Sequence, residues 1–136
     1  DDTVEHAIIK GQRELIRNYP VVEEGRLVGL VSSYELFEAV SQILGADEVW
    51  CGITFEPMKI EKDTIAKVAS LMVETGAFLH GIFTMHLPDT DKKRIILRFD
   101  CDDLDGVVEA LKKAGYSIWE VKRQVQGCLA ENGAKA

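Results

Sequence analysis

Asn18-Tyr19-Pro20-Val21-Val22-Glu23-Glu24-Gly25-Arg26-Leu27-Val28-Gly29-Leu30-Val31-Ser32-Ser33-Tyr34-Glu35-Leu36 reads as a short apolar strand, a tight turn at Gly25, a second apolar strand and the polar start of a helix. Glycine at the turn matters because it adopts positive φ without steric cost, and so fixes how the strands pair. Upstream, Val4, Ala7, Ile8 and Leu15 recur at helical spacing, with Asp2 placed to cap the helix and Glu5 to complete a capping box. Pro20 falls just beyond the end of that helix. Downstream, Leu36, Phe37, Val40, Ile43 and Leu44 form the apolar face of a second helix that begins near Ser33 and stops at Gly45. The expected order is helix, two strands, helix.

Residues 46–49 look like a linker, and from Trp50 the pattern changes. Cys51, Ile53 and Phe55 alternate with Gly52, Thr54 and Glu56, the signature of a half-buried strand. Asp63 is placed to cap a helix with Ile65, Val68, Ala69 and Met72 on one face, closed by Gly76. Strands are expected over 78–86, 94–100 and 116–122. Pro88-Asp89-Thr90-Asp91 makes a turn, and Asp102 or Asp103 caps a helix that buries Leu104, Val107, Val108 and Leu111 before Gly115. In the strand at 94–100, Ile95, Leu97 and Phe99 face one way and Arg94 and Arg98 the other. The order βαββαβ predicts two helices on one face of a four-stranded antiparallel sheet, an α+β ferredoxin-like sandwich. The sheet's other face, with Ile82, Ile96 and Ile118 among its apolar members, is expected to meet another domain or subunit.

Pro20-Val21-Val22, the turn Gly25, the strand Leu27-Val28-Gly29 and the Ser32-x-x-Glu35 that follows fall in register with the CBS motif, which the first segment resembles. The segment 50–122 resembles the ACT domain, carried by the Ile65–Met72 helix, Gly76 and the run Ala110-Leu111-Lys112-Lys113-Ala114-Gly115-Tyr116. Together they are similar to the CBS–ACT regulatory proteins of bacteria, including the acetoin-utilisation accessory family. The resemblance divides the chain into a CBS motif at 1–46, an ACT domain at 47–126 and a flexible tail at 127–136. Such proteins usually carry two CBS motifs and this chain shows one, so an upstream motif or a second chain is expected to supply the other half. The chain also opens on Asp1 rather than Met, and further sequence is expected before it.

The 136 residues carry a net charge of −7, with 46% hydrophobic and 29% charged residues, enough for a packed core. That charge excludes phosphate-backbone binding to nucleic acid and attraction to anionic membranes. No apolar run approaches the roughly 20 residues that span a bilayer. Cys51, Cys101 and Cys128 are widely separated and read as reduced thiols of a cytoplasmic protein. Neither a nucleophile elbow nor a Gly-rich phosphate loop is present, and His80 and His86 lie about 20 Å apart along an extended strand, too far to share a metal. The acidic run Asp100-Cys101-Asp102-Asp103 with Asp105 lacks calcium-loop spacing and reads as a helix start. No enzyme, cofactor or metal is expected.

The CBS resemblance implies an adenine-nucleotide or S-adenosylmethionine site. Asn18, Tyr19 and Pro20 would line the base pocket, Ser32 would face phosphates and Glu35 would accept from the ribose hydroxyls. The family places Asp where this chain has Glu35, one methylene longer. The same residues also satisfy a plain helix cap. The ACT resemblance implies an amino-acid site in the loop that holds Lys62, Asp63 and Thr64, although that loop lacks the family's Gly. The expected function is non-enzymatic regulation by a small ligand, in a homodimer that acts on an unknown protein. A structural oligomerisation module with decayed sites, and an amino-acid sensor, are the alternatives.

Overall fold

The first strand pair of the computed structural model, β1 (Asn18–Glu23) and β2 (Arg26–Ser32), is an antiparallel hairpin closed by Glu24 and Gly25, both at positive φ (47° and 76°). Two positive φ values in a two-residue loop are the turn that matches strand twist, and Gly25 meets that requirement without strain. Residues 3–46, 48 and 50–124 are described. The chain divides into two compact units, Asp1–Asp47 and Glu48–Ala136.

In the first unit the hairpin lies between α1 (Val4–Glu14) and α2 (Ser33–Ile43) in the chain, the expected order. Asp2 lies outside the described residues. The cap of α1 is Thr3, whose hydroxyl accepts from the His6 amide at 3.3 Å, because the helix begins one residue later than Asp2 would require. A bulge between Val21 and Val22 leaves Val28 unopposed, so Val21 faces Gly29 and Val22 faces Leu27. The hairpin is apolar on both faces, a composition suited to a sheet covered on both sides.

The second unit is a four-stranded antiparallel sheet in the order β4-β5-β3-β6, built from β3 (Trp50–Phe55), β4 (Phe78–His86), β5 (Lys93–Asp100) and β6 (Ile118–Gln124). Helices α3 (Thr64–Glu74) and α4 (Leu104–Lys113) cover one face, which makes this the α+β, ferredoxin-like architecture. Its core joins Ile53, Phe55, Ile95, Leu97 and Phe99 of the sheet to Val68, Met72, Val107 and Leu111 of the helices, all essentially inaccessible. The alternation on β5 is the expected one. Gly76 and Gly115 follow the two helices at positive φ.

Two bulges overturn part of the expected sheet face. On β4 the register shifts between Leu79 and Gly81, and on β6 between residues opposite Thr54 and Phe55. Each bulge inserts a residue and reverses the alternation beyond it. Ile82 therefore stands opposite Leu97, and Ile118 opposite Phe55, both packed against the core on the helix side. Of the three isoleucines only Ile96 lies on the face away from the helices. His80, Thr84 and His86 do not share a face: His80 bonds Asp100, while Thr84 and His86 register with Ile95 and Lys93.

Candidate functional site

The hairpin sets Asn18 directly opposite Ser32, which brings these two expected nucleotide-site residues together at its open end, and sets Pro20 opposite Leu30. The Ser33 amide donates to the Arg17 carbonyl at 2.8 Å, which holds the start of α2 against the start of β1. Tyr19 turns toward α1, and its hydroxyl donates to the carbonyl of Ile16, just past the end of that helix, at 3.3 Å. Its hydroxyl end occupies the space that a Cβ on Gly11 would need.

Ser32 and Glu35 form a reciprocal capping box. The Ser32 hydroxyl accepts from the Glu35 amide at 3.3 Å, while Glu35 Oε2 accepts from the Ser32 amide at 2.7 Å and from the Ser32 hydroxyl at 2.9 Å. The backbone bond, and then the hydroxyl bond, hold the Glu35 carboxyl below its ordinary range. Both bonds to the carboxylate fall on Oε2, and Oε1 accepts none among the described residues. The extra methylene of Glu is what lets the carboxylate reach back to the cap.

None of the described residues of the first unit is buried. Leu15, Leu30, Phe37 and Ile43 are 61–85% exposed, and Val22, Leu27 and Val28 are mostly exposed as well. A helix–hairpin–helix with this much exposed apolar surface has the parts of a core but, among its described residues, closes none by itself.

In the second unit, Asp63 occupies the N-cap position of α3 but its side chain makes no cap bond. It instead pairs with Lys67 one turn on, and that partner draws the Asp63 carboxyl below its ordinary range. Thr64 is buried, and its hydroxyl accepts from the Glu61 amide at 2.9 Å, which closes the turn before the helix. Lys62 is exposed in that turn. Two open grooves lie on the helical layer. One of about 480 Å³ runs along Asp63, Lys67, Ser70 and Glu74 to Tyr116; the other, of about 380 Å³, lies between Thr75 and Gly106.

The acidic run is a helix start: Asp103 Oδ1 accepts from the Gly106 amide at 2.9 Å. Among the described residues no His, Cys, Asp or Glu cluster is arranged to hold a metal ion, and no helix is long and apolar enough to cross a membrane. Cys51 and Cys101 are free thiols whose sulfurs lie 4.0 Å apart. Burial first, and Cys51 second, push the Cys101 thiol up to about 11. Cys128 and the tail expected at 127–136 lie outside the described residues.

Periodicity did not reveal one cluster. On the sheet face away from the helices, the Arg98 guanidinium lies 4.3 Å from the Trp50 ring centroid and 5.7 Å from that of Phe83, and Arg94 lies 3.9 Å from that of Trp119. The two arginines were legible as outward residues of β5. Their aromatic partners sit on other strands, and the bulges on β4 and β6 set which residues of those strands share the face.

Among protein families, the CBS domain matches residues 1–42. No curated protein matches the chain. Among solved structures, the chain is similar to the ligand-free regulatory subunit of aspartate kinase from Thermus thermophilus, at 20% identity and a TM-score of 0.40. That similarity covers 57% of this chain and spans half (50%) of the length of that one.

Proposed function

We propose that this chain is a non-enzymatic regulatory protein whose first unit, residues 1–46, is one half of a paired CBS module. The second unit, residues 47–126, serves as an ACT domain for regulation or association. The observation that carries this reading is the coincidence of the CBS match with a unit that buries none of its described residues. Half a nucleotide cleft and half a core are the same deficit, and one partner of like fold removes both. That partner is a second CBS motif, from another copy of the chain or from sequence upstream.

On this reading the ligand is an adenine nucleotide or S-adenosylmethionine. The backbone around Asn18, Tyr19 and Pro20 forms one wall, Ser32 lies toward the phosphates and Glu35 Oε1 accepts from the ribose. Regulation is linkage: a ligand that binds only the paired arrangement stabilises pairing by its own binding free energy. The same linkage couples the ligand to whatever protein senses the pairing. Titration calorimetry of the chain with ATP, ADP, AMP and S-adenosylmethionine is the test. Saturable heat with at least one, abolished by Ser32→Ala, is expected; no heat and no thermal shift with any of them, in the full-length protein with its CBS motifs paired, ends the sensor reading.

One observation favours a second reading, a structural association module. Glu35 is engaged with its own helix cap, and Asp63 with Lys67, so neither expected ligand carboxylate stands fully free. An amino-acid panel extends the same calorimetry to the ACT site, and a flat response to every ligand together with intact self-association would select the structural reading.

A further inference from the structure

The sheet face of the second unit that looks away from α3 and α4 carries Trp50, Phe83, Ile96 and Trp119, with Phe78 and Met85 exposed toward its β4 edge. Trp, Phe, Met and Arg are the residue types enriched where proteins meet. The charges on this face are unevenly matched. Asp100 is engaged by His80 at 2.8 Å and Glu120 by Lys122 at 3.1 Å. Arg94 and Arg98 have no carboxylate partner among the described residues, and Arg94 Nε, Arg98 Nε and Arg98 Nη1 are shielded from solvent without a hydrogen-bond acceptor. Stacking on the rings desolvates the guanidiniums but supplies no acceptor for their N–H groups, which leaves the cost of burial uncompensated.

We propose that this Arg–aromatic face docks a different protein through a segment that places carboxylates beside apolar or aromatic side chains. Carboxylates satisfy the guanidinium N–H groups, and apolar neighbours cover Trp119, Met85 and Phe78. A second copy using the same face is disfavoured, because a two-fold pairing brings Arg94 and Arg98 toward their own counterparts. Nucleic acid is disfavoured by the chain's net charge of −7. A small ligand would leave much of this face uncovered, since Phe78, Met85 and Trp119 are each 40–68% exposed on it. The proposal stands apart from nucleotide sensing by the first unit and survives its failure.

Trp50 and Trp119 are the two tryptophans of the chain, so their emission reads this face directly. The probe is a random glutamate–tyrosine copolymer titrated into the full chain with selective tryptophan excitation; polyglutamate, polylysine and inorganic phosphate serve as comparisons. The expected result is a saturable blue shift with the glutamate–tyrosine copolymer, stronger than with polyglutamate and absent with polylysine and phosphate. Arg94→Gln with Arg98→Gln should weaken it by roughly tenfold or more, as should salt near 1 M, where the Debye length is about 3 Å. Both arginines lie outside the core, and Arg94→Lys with Arg98→Lys keeps the charge should the glutamine pair fold poorly; it should retain partial binding. No response to the copolymer, equal response to polylysine, or indifference to the arginine substitutions would overturn the proposal. So would an emission shift driven by phosphate or by the chain's own concentration, which would assign the face to a small anion or to self-association.

Discussion

Phe37→Asp tests whether the first unit is half of a module. Phe37 sits on α2 and is 73% exposed. Full burial of a side chain of this class stabilises by about 1.5–3 kcal/mol, so roughly three quarters of that, about 1–2 kcal/mol, remains to be gained on pairing. In a two-fold pair the term enters twice, about 2–4 kcal/mol, before the cost of burying a carboxylate is added. At about 1.4 kcal/mol per decade, the dimer constant should weaken between roughly 30-fold and 1,000-fold. Phe and Asp have similar helix propensity, so the substitution should not unravel α2 by itself. Sedimentation equilibrium over a concentration series measures the constant, with Gln42→Asp, on another side of α2, as a control expected to change it little. A wild-type chain that stays monomeric while the amides of β1 and β2 exchange slowly would refute the reasoning. It would mean that a unit none of whose described residues is buried holds its hairpin closed unaided.

Leu97→Ala removes a fully buried side chain between Ile53 and Ile82 and should cost about 2–5 kcal/mol, read from chemical denaturation of the second unit. Gly52→Ala would place a Cβ 2.7 Å from the Trp50 ring, so the ring must leave its stack on Arg98. The loss of about 0.5–1 kcal/mol of cation–π energy offsets the backbone gain of Ala over Gly, so stability should barely move while tryptophan emission shifts; unchanged emission would contradict the stack. Alkylation of Cys101 should be slow at pH 8 and accelerate toward pH 11, since the neutral thiol persists through that range; mass spectrometry of the modified peptide follows it. The Glu35 carboxyl has its folded pKa depressed, so the cap's contribution is present above the ordinary carboxylate range and is lost as pH falls through the depressed value. Amide exchange at the start of α2 should quicken at that acidic end, and Glu35→Gln should show no such step.

Elements were legible wherever one period ran unbroken. The hairpin followed from Gly25 and the apolar runs beside it, and β5 from the alternation of Ile95, Leu97 and Phe99 with Arg94, Ile96 and Arg98. Face assignments on β4 and β6 were not legible, because one inserted residue at a bulge reverses every side chain beyond it and leaves no mark in composition. The caps show the same limit at finer scale. Thr3 rather than Asp2 caps α1, a matter of where the first helical turn closes, and Asp63 holds the cap position while its carboxylate goes to Lys67. Short polar side chains have several nearby partners of similar energy, and the geometry that chooses among them is tertiary.

Ser32 and Glu35 show why the candidate site resisted assignment from sequence. The motif that would hold a ribose is also a complete capping box, and a linear pattern cannot say which use prevails. In the structure Oε2 serves the cap and Oε1 makes no hydrogen bond among the described residues, so on the proposed reading Oε1 is the oxygen left for a ribose. A ligand that needs Oε1 alone leaves α2 intact, whereas one that needs both oxygens must open the box and free the Ser32 and Glu35 amides. Only the second kind of ligand would transmit its binding to α2, the helix that carries Phe37. Protection of the Glu35 amide during a nucleotide titration separates them: loss of protection on saturation means that the ligand works through the cap, and unchanged protection confines its effect to the pairing equilibrium.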